Sequence, residues 1–112
     1  MPFFSFLKVK KKGENALKIT VSYLGHLKRL IGVEQPEEIE LFNQATVNDL
    51  LLKLSEVHGE AFLKIVYEPG SLDLKPNFIL TVNGLLLNQL RGIKTQLKNG
   101  DSVIIMPIVS GG

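Results

Sequence analysis

Few residues in this sequence could do covalent chemistry, and the strongest candidates stand at its end. The chain closes Ile108-Val109-Ser110-Gly111-Gly112. At average glycine usage, a Gly-Gly pair falls at one given place with odds of about one in two hundred. The pair therefore needs support from the rest of the chain before it carries meaning. Glycine has no Cβ and reaches backbone conformations closed to other residues. A carboxyl on Gly112 is unhindered, and such an end can thread a narrow active site. The competing reading is an idle, frayed terminus, as most termini are.

The rest of the chemical inventory is short. There is no cysteine, which excludes disulfides, iron–sulfur clusters, zinc ribbons and thiolate nucleophiles. His26 and His58 have no ligand-type spacing around them, so no metal site is expected. No nucleophile–base pair, phosphate loop or supported pair of carboxylates is visible. Lys53, Lys64, Lys94 and Lys98 read as solvated, and Arg91 as structural or as a partner contact. A net charge of +2 over 112 residues does not argue for nucleic acid. No apolar run approaches the length of a membrane span. The start, MPFFSFLKVKKK, places its lysines after a very short apolar patch. A secretory signal has the reverse order, so a cytoplasmic protein with no membrane partner is expected.

The elements that would position the end follow from patterning. With 45% hydrophobic residues, the chain is a folded domain and not a disordered tail. Residues 1–16 stand apart: Phe3, Phe4, Phe6 and Leu7 precede the basic run Lys8, Lys10, Lys11 and Lys12. This segment reads as an added edge strand or a loose arm. From Leu17 the residues alternate, with Leu17, Ile19, Val21 and Tyr23 facing a core and Lys18, Thr20 and Ser22 facing out. Leu24 then breaks the polar row. His26 to Gly32 reads as a short helical turn closed by glycine, and Glu37 to Phe42 as a second strand. Thr46 reads as an N-cap, with Asp49 three residues on approximating a capping box. Val47, Leu50, Leu51, Leu54 and Val57 give the following helix one apolar stripe, and Gly59 stops it. A second short helical pattern carries Phe62, Ile65 and Val66, and Glu68-Pro69-Gly70 is a turn. Phe78–Val82 and Leu85–Leu87 read as strands joined by Asn83-Gly84, a strong hairpin signal. Thr95–Leu97 reads as a single turn, Asn99-Gly100-Asp101 as a tight turn, and Val103–Met106 as the last strand. Pro107 lacks a donor, so pairing is expected to fade there. One main helix must cover the sheet. The result is a two-layer α+β domain, with first and last strands able to lie parallel as in a β-grasp.

YLGHLKRLIG after the first strand, ATVNDLLLKL in the helix, FILTVNG at the hairpin and LKNGDSVIIMPIVSGG at the end together resemble the MoaD/ThiS family of ubiquitin-like sulfur carriers. The resemblance covers about residues 17–112. It looks closest to the archaeal-type small subunit of molybdopterin synthase, which carries a longer segment between helix and hairpin. Two departures stand out. The usual Pro-Pro pair is Met106-Pro107 here, and residues 1–16 have no counterpart in the compact members.

The resemblance implies a β-grasp fold, α+β, with a mixed sheet of four to five strands under one main helix. It divides the chain into an extension (1–16), the domain (17–107) and a tail (108–112). It implies that an E1-like enzyme of the MoeB or ThiF type uses ATP to adenylate the Gly112 carboxyl. A persulfide sulfur donor then yields a thiocarboxylate, which a MoaE-type large subunit uses to make molybdopterin. No cofactor would be bound by the chain itself, which would be a carried substrate or one enzyme subunit. Pro107, Ile108, Val109, Ser110 and Gly111 would thread the tail through the partners' sites. Strand parity turns Ile104 and Met106 outward, as it does Leu24. Leu24, Leu86 and Met106 match the three apolar positions by which MoaD-like proteins dock partners. The alternative is scattered surface apolars, or a cover formed by residues 3–7. Other expected roles are a ubiquitin-like modifier joined to lysines through Gly112, a carrier for tRNA or thiamine thiolation, or a plain β-grasp interaction module.

Overall fold

The computed structural model describes residues 16–34, 36–68 and 70–108. Alternation in the sequence becomes strand β1, Ala16–Tyr23, with Leu17, Ile19, Val21 and Tyr23 all buried. A turn at Gly25 leads to the short helix α1, Leu27–Ile31, which ends at Gly32 in the left-handed conformation (φ 87°). Strand β2, Glu37–Phe42, runs back antiparallel to β1, with Ile39 and Leu41 inward. Helix α2, Val47–His58, and helix α3, Glu60–Ile65, follow. Strands β3, Phe78–Val82, and β4, Leu85–Leu86, form the Asn83-Gly84 hairpin, with φ of 51° and 87° at the two turn residues. Strand β5, Ser102–Pro107, completes the fold.

The five strands lie in the order β2-β1-β5-β3-β4. β1 and β5 are parallel neighbours at the centre, and every other pair is antiparallel. This is the expected β-grasp sheet. The capping box at Thr46 is formed: the Asp49 N–H donates to Thr46 Oγ1 at 3.3 Å, and the Thr46 N–H donates to Asp49 Oδ2 at 2.8 Å. Val47, Leu50, Leu51 and Leu54 are fully buried against the sheet. The segment after α2 belongs to the same core, because Phe62, Val66 and Tyr67 are also fully buried. The Tyr67 hydroxyl lies 2.9 Å from Asn48 Oδ1 and 3.1 Å from the Ser71 carbonyl, tying that segment to α2.

Four expectations need correction. Val57 is not in the stripe; it is 51% exposed. The inward row passes instead from Leu54 to His58, four residues on, because His58 turns in to meet Glu37. The returning strand stops at Leu86. Leu87 begins a 3₁₀ turn, Leu87–Gln89, whose entry is fixed by the Leu86 N–H donating to Gln89 Oε1 at 2.9 Å. The turn expected at Thr95–Leu97 lies earlier, at Gly92–Lys94; Thr95 closes it by donating its hydroxyl to the Gly92 carbonyl at 2.7 Å. Gln96 then bridges to Thr46, and the Leu97 N–H donates to the Ala45 carbonyl at 2.8 Å, so this stretch is extended. Finally, pairing does not fade at Pro107. Pro107 faces Phe78, and the Ile108 N–H still donates to the Asn77 carbonyl at 2.8 Å. Hydrogen-bonded and non-bonded pairs alternate in an antiparallel ladder, and the proline occupies a non-bonded position where no donor is required.

At the domain edges, Ala16 already belongs to β1. The expectations for residues 1–15 and for 109–112 lie outside the described residues.

Candidate functional site

The end of β5 defines the place where the tail departs. Tyr23 of β1 stands beside Ile105, and the Leu24 N–H donates to the Ile105 carbonyl at 3.0 Å. The next residue of that side is Gly25, at φ 64°, and a Cβ on it would lie 3.1 Å from Cγ of the Pro107 ring. Gly25 thus lets the β1–α1 turn close over Pro107. The Ile108 N–H, donating to the Asn77 carbonyl, holds the other side, and Ile108 leaves the sheet 47% exposed. Pro107 and Ile108 are therefore clamped from both flanks. Val109, Ser110, Gly111 and Gly112 lie outside the described residues.

Register settles which apolar side chains share a face. Across the sheet, Ser22, Ile104, Thr81 and Leu86 are successive partners, and Ile79 stands opposite Met106. Partners side by side point the same way. Leu24 continues the outward row of β1 beyond Ser22. Leu24 (42% exposed), Leu86 (38% exposed) and the half-buried Met106 hence lie on one outer face, with Ile79 and Ile104 between them. Thr81 is buried in the same row. Sequence parity alone left the face of Leu86 open; the Thr81–Leu86 pairing decides it. Ile79 and Gly25 were not singled out from the sequence, because each acquires its place only through pairing with β5.

A polar cluster sits on the opposite face at the same end of the sheet. Glu37 Oε2 accepts from the Tyr23 hydroxyl at 2.7 Å and lies 2.7 Å from His58 Nε2. The His58 ring meets Tyr23 edge-on, with centroids 5.9 Å apart. Burial, then the hydrogen bond and negative charge of Glu37, push the Tyr23 phenol far above its usual range. The cluster joins β1, β2 and α2. Among the described residues no group of three or more His, Cys, Asp or Glu could hold a metal ion. His26 stands at the start of α1, exposed and remote in role from His58. Lys53, Lys64, Lys94, Lys98 and Arg91 are exposed. Among the described residues, no helix is long and apolar enough to cross a membrane.

The profile of the ThiS family matches residues 21–112, most of the sequence. The chain belongs to the ThiS family. This places it among the ubiquitin-like sulfur carriers, the group that also takes in MoaD. A protein of Archaeoglobus fulgidus, named as a sulfur carrier protein, is 37% identical over 67 residues, covering 60% of this chain and 74% of that one. A solved structure from Pyrococcus furiosus, named as molybdopterin converting factor subunit 1, is 30% identical with a TM-score of 0.65, covering 83% of this chain and 99% of that one. Small archaeal modifier protein 1 of Methanosarcina acetivorans is 26% identical, also with a TM-score of 0.65, covering 87% and 98%. The sulfur-carrier family and the β-grasp fold both agree with the expectation from sequence.

Proposed function

We propose that this ThiS-family chain carries sulfur on the carboxyl of Gly112 and delivers it in molybdopterin synthesis, as the small subunit of the synthase. The observation that carries the reading is the clamped tail exit beside an exposed apolar face, in a chain similar to a protein named for molybdopterin conversion. In the proposed cycle the Gly112 carboxylate attacks the α-phosphorus of ATP on an E1-like partner and pyrophosphate leaves. The acyl carbon is now electrophilic and has a good leaving group. A persulfide sulfur attacks it, AMP leaves, and a thiol cleaves the S–S bond to release the thiocarboxylate. That group is anionic and nucleophilic at neutral pH, which suits sulfur delivery in a MoaE-type subunit.

The chain's own part is presentation. Leu24, Leu86 and Met106 would dock the partner, and an unbranched methionine adapts to more than one surface. Pro107 and Ile108, held by Gly25 and Asn77, would aim Val109, Ser110, Gly111 and Gly112 into the partner's cleft, where an extended peptide gains main-chain hydrogen bonds. ATP belongs to the activating partner, and this chain would bind no cofactor of its own.

The test is the intact mass after incubation with ATP, an E1-like enzyme and a sulfur source from the same organism. The expected result is one oxygen replaced by sulfur, localised to Gly112, and its loss on deleting Gly112 with the thermal midpoint unchanged. Unmodified mass, with the partner active on another substrate, overturns the reading, as does sulfur transfer by the truncated chain. The likeness to an archaeal modifier protein favours a second reading, conjugation of Gly112 to target lysines. Gly112-dependent ladders on a denaturing gel would establish it.

A further inference from the structure

We propose that the notch between the edge of β3, the end of β4 and the segment leading from α3 into β3 is a socket for one arginine side chain of the activating partner. The notch exists because β4 is short. It pairs only Thr81 and Val82 of β3, since the 3₁₀ turn at Leu87–Gln89 carries the chain away after Leu86. The edge of β3 at Phe78, Ile79 and Leu80 is left beside the incoming segment, and an open cavity of about 140 Å³ remains there. An apolar cavity of about 150 Å³ holds a benzene molecule, so this one has room for a single side chain. Its floor is the buried pair Leu80 and Leu87, and half-buried Ile79 and exposed Leu86 form its lip.

Two polar groups complete the lining, the exposed side chains of Asp73 and Asn88. Asp73 supplies the only charge among the lining residues. Its place is fixed by the chain around it. Asp73 Oδ1 accepts from the Leu74 N–H at 2.7 Å, Leu74 is buried, and the Lys75 N–H donates to the Val66 carbonyl at 2.8 Å. The ion pairs among the described residues are His58–Glu37 and Lys64–Glu60, so none of them neutralises Asp73.

This lining selects its occupant. An aliphatic or aromatic side chain fits the floor, yet a partner closing over it would shut the Asp73 carboxylate from water with no counter-charge, which is costly. A long cationic side chain meets both needs: its methylene stem lies on the apolar floor and its head reaches the acid. Asp73 offers Oδ2 and Asn88 its amide oxygen, two acceptors on separate residues. A guanidinium, with five donors in a planar fork, serves both at once, whereas an ammonium acts as a point charge.

The socket adjoins the docking face. Leu86 belongs to both, and Ile79 stands opposite Met106, the residue before Pro107. An arginine seated there fixes the partner's register across the sheet, beside the point from which the tail departs. The socket and its preference for guanidinium do not depend on the sulfur-carrier reading; only the owner of the arginine does.

The test titrates the full chain with propylguanidinium, butylammonium and butanol, each followed by amide resonances. Propylguanidinium is expected to give saturable shifts at Asp73, Leu86, Leu87 and Asn88, and none at Lys53 and Glu56 on α2. Butylammonium is expected to bind several-fold more weakly, and butanol more weakly still. Asp73→Asn keeps an Oδ1 for the Leu74 N–H and removes the charge. It is expected to weaken propylguanidinium several-fold with the thermal midpoint unchanged. Shifts that do not saturate, equal responses to propylguanidinium and butanol, or an unchanged affinity in Asp73→Asn would overturn the proposal. A stronger response to butylammonium overturns the assignment to arginine. Sulfur loading, read by the mass assay over a range of chain concentrations, tests the owner. Asp73→Asn is expected to raise KM several-fold with kcat unchanged, the mark of binding lost equally from ground and transition states. An unchanged KM overturns the assignment to the activating partner. No loading of the parent chain would strike the sulfur-carrier reading, and the titration would still decide the socket.

Discussion

Gly25 and Pro107 meet at the root of the tail, and each makes the other's conformation workable. Gly25 sits at φ 64°, and the ring of Pro107 occupies the space its Cβ would need. A non-glycine residue in this left-handed region costs about 1–2 kcal/mol. Gly32 offers an internal control: its φ is 87°, yet nothing lies within 4 Å of a Cβ built there. Gly25→Ala is therefore expected to lower the urea midpoint more than Gly32→Ala, the difference measuring the contact with Pro107. It is also expected to move the amide resonance of Ile108, which Gly32→Ala should leave in place. Equal midpoints for the two variants would mean that the ring moves aside freely and that the tail is not held from this flank. In the sequence Gly25 reads as one more turn residue, because its neighbour Pro107 comes near it only when β1 and β5 lie side by side.

The elements owe their ends to side chains as much as to their periodicity. Helix α2 starts at a closed capping box, and Thr46→Ala is expected to cost about 1 kcal/mol. At its other end His58 turns in to Glu37, which also accepts from Tyr23. Removing the shared acceptor orphans a buried hydroxyl, and a buried group left unpaired costs about 1–3 kcal/mol. Glu37→Ala is accordingly expected to destabilise more than Glu37→Gln, which keeps an acceptor oxygen, in urea unfolding followed by circular dichroism. Equal losses would assign the cost to packing. The strands, the capping box and the Asn83-Gly84 turn were legible in the sequence because each is fixed by neighbours a few residues away. Val57 was misplaced because periodicity alone offers two continuations after Leu54, and a distant carboxylate on β2 selects the other. The 3₁₀ turns at Leu87 and Gly92 were missed for a related reason. Gln89 and Thr95 close them with side-chain bonds to the backbone, a signal much weaker than glycine or proline at a turn. Of the candidate site, Leu24 and Met106 could be placed outward by parity, whereas Leu86 needed the observed pairing with Thr81.

Over the whole molecule, parallel pairing of the first and last strands brings the Leu24 end of β1 and the departing tail to one end of the sheet, with Tyr23 beneath. That arrangement gives the protein an alkaline limit that can be argued from its two tyrosines. Tyr23 and Tyr67 are both buried, and both phenols are raised from their usual value of 10.0, chiefly by burial. A group whose folded-state value is raised keeps its proton in the folded chain at pH values where the unfolded chain has released it. The stability it contributes is fully present below pH 10 and is lost as pH rises beyond that value, because the unfolded state then binds fewer protons. Folded tyrosines should not ionise one by one. The phenolate absorbance is expected to stay flat through the pH at which free tyrosine titrates, then rise together with the loss of the circular dichroism signal in one transition. The chain has no tryptophan, so the near-ultraviolet change reports these two residues. Lysines titrate in the same range without absorbing there. A phenolate signal that rises around pH 10 while the dichroism holds would show a tyrosine open to solvent in the native state. Persistence of that signal in Tyr67→Phe would assign it to Tyr23, and the Tyr23–Glu37–His58 junction would then be too loose to hold β1, β2 and α2 together at the end of the sheet from which the tail departs.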